Sequence, residues 1–380
     1  MAINQNMETY AKACNEDVKK FVRDLCVIPA PSHHEEKRVA WVKDWMEKNG
    51  AEGVYVDDAL NVIWPYNVTE DNDLIVFMAH TDVVFPDMEP LPFHEADGKY
   101  YAPGVGDDTA RLAVLLHAAK YFVSNGLKPK TGILFVANSC EEGLGNLKGS
   151  RKIIDTFGSR VKELITVDGN LSGIVAHAVG SHRYRVTVRT EGGHSYGAFG
   201  NRNAIRCLAS MIDTLYSIKV PANGASKTTY NVGSISGGTS VNTIAQEASM
   251  LFEYRSDDKD CLAKMKAAFD AIVAAYRATG IEVEVELLGE RPCNGDLDPV
   301  AFGALKDRAA ASIRSIVGVE PSFHSGSTDA NYPLSKGIPA ICIGGCNSVG
   351  SHTREEFLYV DSLYDGTRFL LDFMSNYFEI

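Results

Sequence analysis

The sequence has no apolar stretch near the roughly 20 residues that a membrane-spanning helix needs, so an integral membrane protein is not expected. It also has no surplus of positive charge: 37 basic residues face 49 acidic ones, a net charge of −12. Nucleic acid and anionic membrane surfaces are bound by neutralising phosphate with Lys and Arg, so neither is an expected partner. Eight cysteines are scattered without a Cys-x-x-Cys pair. Reduced, mostly buried thiols in a cytoplasmic protein are the expectation. Residues 1–8 show no basic segment leading into an apolar core, so no signal peptide is expected. Internal repeats and low-complexity segments are missing too.

What the sequence does have is a recurring pattern of short apolar runs that stop on a polar side chain. Residues 73–79 are almost wholly aliphatic or aromatic and end at His80-Thr81-Asp82. Residues 131–137 lead into Glu141-Glu142-Gly143, residues 163–167 into Asp168-Gly169, and residues 339–343 into glycines with His352 soon after. Runs of this length and composition suit buried parallel strands. In open α/β sheets, ligands bind beyond the carboxyl ends of the strands. Between the first two runs lies Gly104-Val105-Gly106-Asp107-Asp108, a loop that opens a helical pattern over 109–124. The spacing therefore predicts that His80, Asp107, Glu142, Asp168 and His352 meet at one edge of one sheet.

Strand and helix patterns alternate from the amino terminus. Helices are predicted over 8–27 and, from a capping box at Ser32 and Glu35, from Ser32 to Gly50. His33 and His34 are then adjacent residues of a solvated first turn and face different ways. Strands follow near 53–57 and 60–65, with a helix near 148–157. At residue 179 the style changes. Residues 183–190 alternate with period two, the mark of a sheet with one wet face. A helix over 203–217, strands at 228–235 and 245–254, a helix over 258–279 and a strand at 281–287 complete a β-α-β-β-α-β order, which is ferredoxin-like. A helix over 298–317, the loop 325–331, the 339–343 strand and a helix over 361–378 return to the first style. The expected fold is α/β, with a mainly parallel sheet in a catalytic domain (1–178 and 292–380) split by an α+β insert (179–291).

Two imidazoles and three carboxylates suit a pair of divalent ions, with one carboxylate bridging, since such ions sit about 3.5–4 Å apart. Asp107, in the glycine-bounded loop, is the bridging candidate. Asp82 lies two residues past His80 and is expected to accept its second ring N–H and fix the tautomer. Glu141 and Glu142 are neighbours at a strand end and point apart. Glu142 is assigned to metal and Glu141 to the general base.

In this order the stretches His80-Thr81-Asp82, Gly106-Asp107-Asp108, Glu141-Glu142-Gly143, Asp168-Gly169, Gly192-Gly193-His194-Ser195 and His352 resemble the dizinc aminoacylase, carboxypeptidase G and peptidase T family of exopeptidases and deacylases. The resemblance implies two zinc ions per chain, replaceable by cobalt or manganese, and cleavage of an amide near a substrate terminus. It implies a small peptide or an N-acyl amino acid as substrate, and a homodimer formed through the inserted lid. It also implies a cis bond between Asp107 and Asp108. His194 would stabilise the oxyanion, while Asn242 and Arg255 would hold substrate, Arg255 through a carboxylate. The chain departs from the tripeptidase branch at Ser195–Gly200 and after Asn242, where Thr243-Ile244-Ala245 stands.

Two other classes compete. Gly193-His194-Ser195-Tyr196-Gly197 matches a Gly-x-Ser-x-Gly elbow, with Asp329 and His352 in the order of a serine hydrolase. An elbow serine should open a helix at once, and Phe199-Gly200-Asn201 intervenes. A binding or regulatory protein on the same fold would have lost ligands or base, and all of them are present.

Overall fold

The computed structural model of the chain describes residues 3–380. The seven residues of the strand Leu74–His80 are all buried, as are those of Gly132–Asn138. Full burial of a Leu, Ile, Val or Phe side chain contributes about 1.5–3 kcal/mol, so these runs have little alternative to the middle of a sheet. They pair in parallel, and Leu74–His80 pairs in parallel with Val161–Val167 on its other side. Ala340–Ile343 adds a fourth parallel strand beside Val161–Val167. Four carboxyl ends therefore lie along one edge, and they lead to His80, the Glu141-Glu142 pair, Asp168 and the His352 loop.

The eight-stranded sheet is completed by antiparallel Val62–Tyr66 and Tyr55–Val56 at one side. At the other side Gly173–Ala178 and Ser322–Gly326 pair with each other in parallel. The helices Gln5–Cys26, Arg111–Ser124 and Ser362–Ser375 pack together on the sheet. Phe77 meets Tyr377 edge-on with ring centres 5.3 Å apart, and Phe122 stacks on Phe378 at 4.1 Å. A small antiparallel sheet of His94–Ala96, Lys99–Tyr101, Phe357–Tyr359 and Ser348–Val349 carries His352 in the turn between its last two strands.

The chain separates into two compact units, residues 3–178 with 295–380, and residues 179–294. In the second unit the strands Gly180–Arg189, Thr228–Gly237, Glu247–Ser256 and Glu282–Arg291 form an antiparallel sheet. Numbered along the chain, their spatial order is 2-3-1-4, which is ferredoxin-like. The helices Ala204–Tyr216 and Lys259–Ala278 cover one face, burying Val186, Val188, Met250, Phe252, Met211 and Phe269. Arg185 pairs with Glu286 and Arg189 with Glu284, both at 2.7 Å, so this sheet keeps a charged face beside a buried one.

Several expectations need correction. The second boundary falls after Asn294, because the strand runs to Arg291 and the Cys293 thiol donates to the Ser256 carbonyl at 3.3 Å. Ser32 does not cap a helix. Its hydroxyl donates to Asp82 at 2.6 Å, and the helix is Glu36–Lys48, with no side-chain cap. Expected 298–317 is the helix Pro299–Ser312, capped by Asp298, with a wider turn at Ile313–Val317. The loop reading of 325–331 misses that Ser322–Gly326 is a strand. The strand Gly173–Ala178 was not foreseen. All eight cysteines are unpaired and buried. Among the described residues, no helix is long and apolar enough to cross a membrane.

Candidate metal centre

The five residues expected to meet do so, in two groups that share Asp107. His80, Asp107 and Asp168 form one and Asp107, Glu142 and His352 the other, the donor atoms of each lying within 4.8 Å of one another. The Asp107 carboxylate faces both ways. Its Oδ1 is 3.1 Å from His80 Nε2, and its Oδ2 is 3.4 Å from His352 Nε2. The second histidine also lies 3.2 Å from Glu142 Oε2. The peptide bond between Asp107 and Asp108 is cis.

The donor chemistry fits divalent cations. His80 Nδ1 sits 3.0 Å from the Asp82 carbonyl oxygen, which only accepts, so the ring proton is on Nδ1. Were the ring neutral, the lone pair of Nε2 would oppose a carboxylate oxygen at 3.1 Å, a repulsion that a proton or a metal ion between them relieves. The charges point the same way. Burial works against the charge on His80, yet Asp108, Asp107 and Asp82 outweigh it and raise the imidazole. Asp107 and Glu142 push His352 up to about 10. Burial and then Asp107 raise Asp168, and burial raises Glu142 and Asp108. For Asp107, burial is overcome by His352 and His80, which hold its carboxyl well below the usual range. Carboxylates crowded out of water attract positive charge onto both rings, and metal ions would supply that charge.

Asp82 does more than orient His80. Its carbonyl meets Nδ1 at 3.0 Å, while its Oδ1 stands 3.5 Å from the same nitrogen. That carboxylate accepts the backbone N–H groups of Glu141 at 3.0 Å and Glu142 at 2.9 Å. Asp82 thus accepts the ring N–H as expected, chiefly through its carbonyl, and its carboxylate fastens the Glu141-Glu142 turn. Just before that turn, Cys140 adopts φ 59°. Its N–H is held by Glu35 at 3.0 Å. Glu141 is buried and is the chain neighbour of Glu142.

Around the centre, Glu356 and Arg111 had no place in the sequence reading, and Asp108 entered it only through its bond with Asp107. Glu356 accepts the N–H groups of Gly104 at 2.7 Å, Gly106 at 2.9 Å and Asp107 at 2.9 Å. Burial, and then Asp107, push its carboxyl up to about 7. Asp108 Oδ2 accepts the backbone N–H of His80 at 2.9 Å. Arg111 is buried and donates to Asp168 Oδ1 at 3.2 Å. An arginine opening a helix of buried Leu and Ala needs a counter-ion, and that was a readable signal. Glu356, four residues beyond His352 in a polar loop, offered none.

His33 and His34 are exposed, as expected, but they precede the helix, and His33 Nδ1 lies 3.4 Å from the Cys140 thiol. In the second unit, His194 is exposed on a short ladder with Thr243. Its Nδ1 accepts the N–H groups of Tyr196 and Gly197, both at 3.3 Å, so Nε2 carries the proton. Asn242 is exposed, its side chain bonded to Ser240 at 3.0 Å. Arg255 is forked onto Glu253, with two bonds of 3.0 Å. The serine-hydrolase reading loses its parts. Ser195 sits in a turn rather than at a helix start, Asp329 accepts from Asn138 at 2.6 Å, and His352 faces Asp107 and Glu142.

Residues 76–376 match the profile of peptidase family M20/M25/M40. A Bordetella avium succinyl-diaminopimelate desuccinylase is 24% identical over 321 residues, covering 79% of this chain and 82% of that protein. Among solved structures, a Staphylococcus aureus tripeptidase superposes with TM-score 0.76 at 20% identity, covering 99% of both chains. A dinuclear metal-binding peptidase of Bacillus subtilis gives TM-score 0.64 at 18% identity, over 95% of this chain and 98% of the other. At these identities the superpositions establish a shared fold. The matched span contains His80, Asp107, Glu141, Glu142, Asp168 and His352. The chain belongs to peptidase family M20/M25/M40, a family of metal-dependent hydrolases of amide bonds.

Proposed function

We propose that this protein is a cytoplasmic two-zinc exopeptidase of the di- or tripeptidase kind, cleaving an amide near a substrate terminus. The observation that carries the reading is Asp107, whose two oxygens face His80 and His352 separately, with a buried Glu141 next to Glu142 in the chain. His80, Asp107 and Asp168 would hold one ion and Asp107, Glu142 and His352 the other, with cobalt or manganese able to replace zinc. Bound there, the ions would supply Lewis acidity and lower the pKa of water toward about 7. Glu141 accepts the proton of the attacking water and returns it to the leaving amine. Asp82 holds the backbone on which Glu141 sits and the ring of His80. His194, with its proton on Nε2, donates to the carbonyl oxygen as negative charge develops there. Asn242 and Arg255 hold the rest of the substrate, and a substrate carboxylate would take over the fork that Glu253 now occupies. The proposed assembly is a homodimer through the 179–294 unit.

A second reading, deacylation of N-acyl amino acids by the same groups, is favoured by the desuccinylase relatives. The test is a panel of di- and tripeptides, N-acyl amino acids and folate-type glutamates, assayed with zinc, manganese or cobalt and with a chelator. Glu141→Gln should keep its metal and lose about 10²–10⁴-fold in turnover. Turnover within tenfold of wild type, or activity indifferent to the chelator, removes the mechanism.

A further inference from the structure

Arg111 is the first residue of the helix Arg111–Ser124, where a cation opposes the helix dipole. Its side chain is only 4% exposed. The carboxylates it meets hold it there. Nη1 donates to Asp168 Oδ1 at 3.2 Å and lies 3.7 Å from Asp108 Oδ1 and 3.9 Å from Asp107 Oδ1. Nε donates to the Gly169 carbonyl at 2.8 Å and Nη2 to Ser348 Oγ at 3.1 Å. The guanidinium is thus pinned on three sides and cannot swing away. Its contacts are also one-sided. Asp107 Oδ1, the oxygen near Arg111, is the one that faces His80, whereas Oδ2 faces His352. Asp168 and the His80 side of Asp107 therefore already serve a permanent cation before any metal arrives. Arg does not lose its proton in proteins, and burial removes the screening that would weaken its repulsion of a second cation.

We propose that Arg111 is a fixed competitor inside the metal centre, a positioning residue that neutralises part of Asp168 and Asp107 and weakens ion binding by the His80–Asp107–Asp168 group. Loading of that group then follows the free metal concentration instead of being permanent. The proposal rests on the two-ion reading above.

The test is a zinc titration of demetallated full-length protein, with bound metal measured by equilibrium dialysis and elemental analysis. Arg111→Met and Arg111→Gln remove the charge, and Arg111→Lys keeps it. Both neutral variants should bind their weaker ion at least roughly tenfold more tightly than wild type, with the lysine variant close to wild type. Equal or weaker binding in the neutral variants overturns the proposal while leaving the two-ion centre standing. Failure of the wild type to bind zinc at all sinks the centre itself. If the neutral variants fold only with zinc, the metal should restore their structure at concentrations below those that saturate wild type. Failure of zinc to do so also overturns the proposal.

Discussion

At the scale of single residues, what surrounds a buried histidine decides its charge, and two of them end oppositely. His80 is buried among carboxylates and gains positive charge. His117 is buried among rings and is driven the other way. Its ring is tilted against Trp45 at 4.9 Å and edge-on to Phe21 at 5.8 Å, and Nδ1 donates to the Ala113 carbonyl at 2.7 Å. Burial lowers its pKa from 6.5 to about 4. The folded ring is therefore neutral where the unfolded one takes a proton. A group depressed in this way leaves the fold at full stability above pH 6.5, and stability falls as the pH drops from 6.5 toward 4. The slope from this one group is about 1.4 kcal/mol per pH unit. His117→Phe should lose less stability than wild type between pH 7 and pH 4.5, by roughly 2–3 kcal/mol. Urea unfolding of both proteins across that range measures the difference. Parallel curves would show that His117 does not titrate between the two states.

At the scale of elements, the site depends on loops more than on strands. The strands deliver His80, the Glu141-Glu142 pair and Asp168 to one edge, but Asp107 and His352 come from loops 245 positions apart in sequence. Glu356 joins those loops, because its carboxylate accepts three backbone N–H groups beside Asp107 from a position four residues past His352. Glu356→Gln replaces one acceptor with an NH₂ group that faces donors. An unsatisfied buried group costs about 1–3 kcal/mol, and loss of a ligand-orienting partner typically costs 10–100-fold in metal affinity. The variant should show both, by urea midpoint and by metal retained after dialysis. Wild-type values for both would mean that the loops hold each other without it. The contrast explains what could be read from sequence. Buried strands announce themselves as apolar runs, so the ligands at their ends were legible, and so was the insert, from the alternation at 183–190. Glu356 acts on backbone N–H groups, which have no sequence signature. The strand Ser322–Gly326 is exposed except at Gly326 and carries no apolar pattern. Ser32 fitted a capping box by spacing alone, but the helix begins only at Glu36, and the Ser32 hydroxyl donates instead to the buried Asp82 carboxylate.

At the scale of the whole molecule, the two units have separate hydrophobic cores. One runs through the parallel sheet and its helices, and the other lies between the antiparallel sheet and Ala204–Tyr216 with Lys259–Ala278. Both ligand groups belong to the first. Metal binding should therefore stabilise that unit alone. A ligand at one hundred times its dissociation constant adds about 2.7 kcal/mol. For a unit of this size each kcal/mol raises the midpoint by about 2–4 °C. The three tryptophans, Trp41, Trp45 and Trp64, all lie in the metal-bearing unit, so fluorescence follows it selectively, whereas far-UV circular dichroism follows both. Chelation should lower the fluorescence midpoint by roughly 5–10 °C, and added zinc should restore it. In circular dichroism the part of the transition without a fluorescence counterpart should stay where it was. Should chelation move every transition together, the two cores unfold as one and the stabilisation is shared across the chain. Should it move none, the ligand groups contribute nothing to the fold by binding metal.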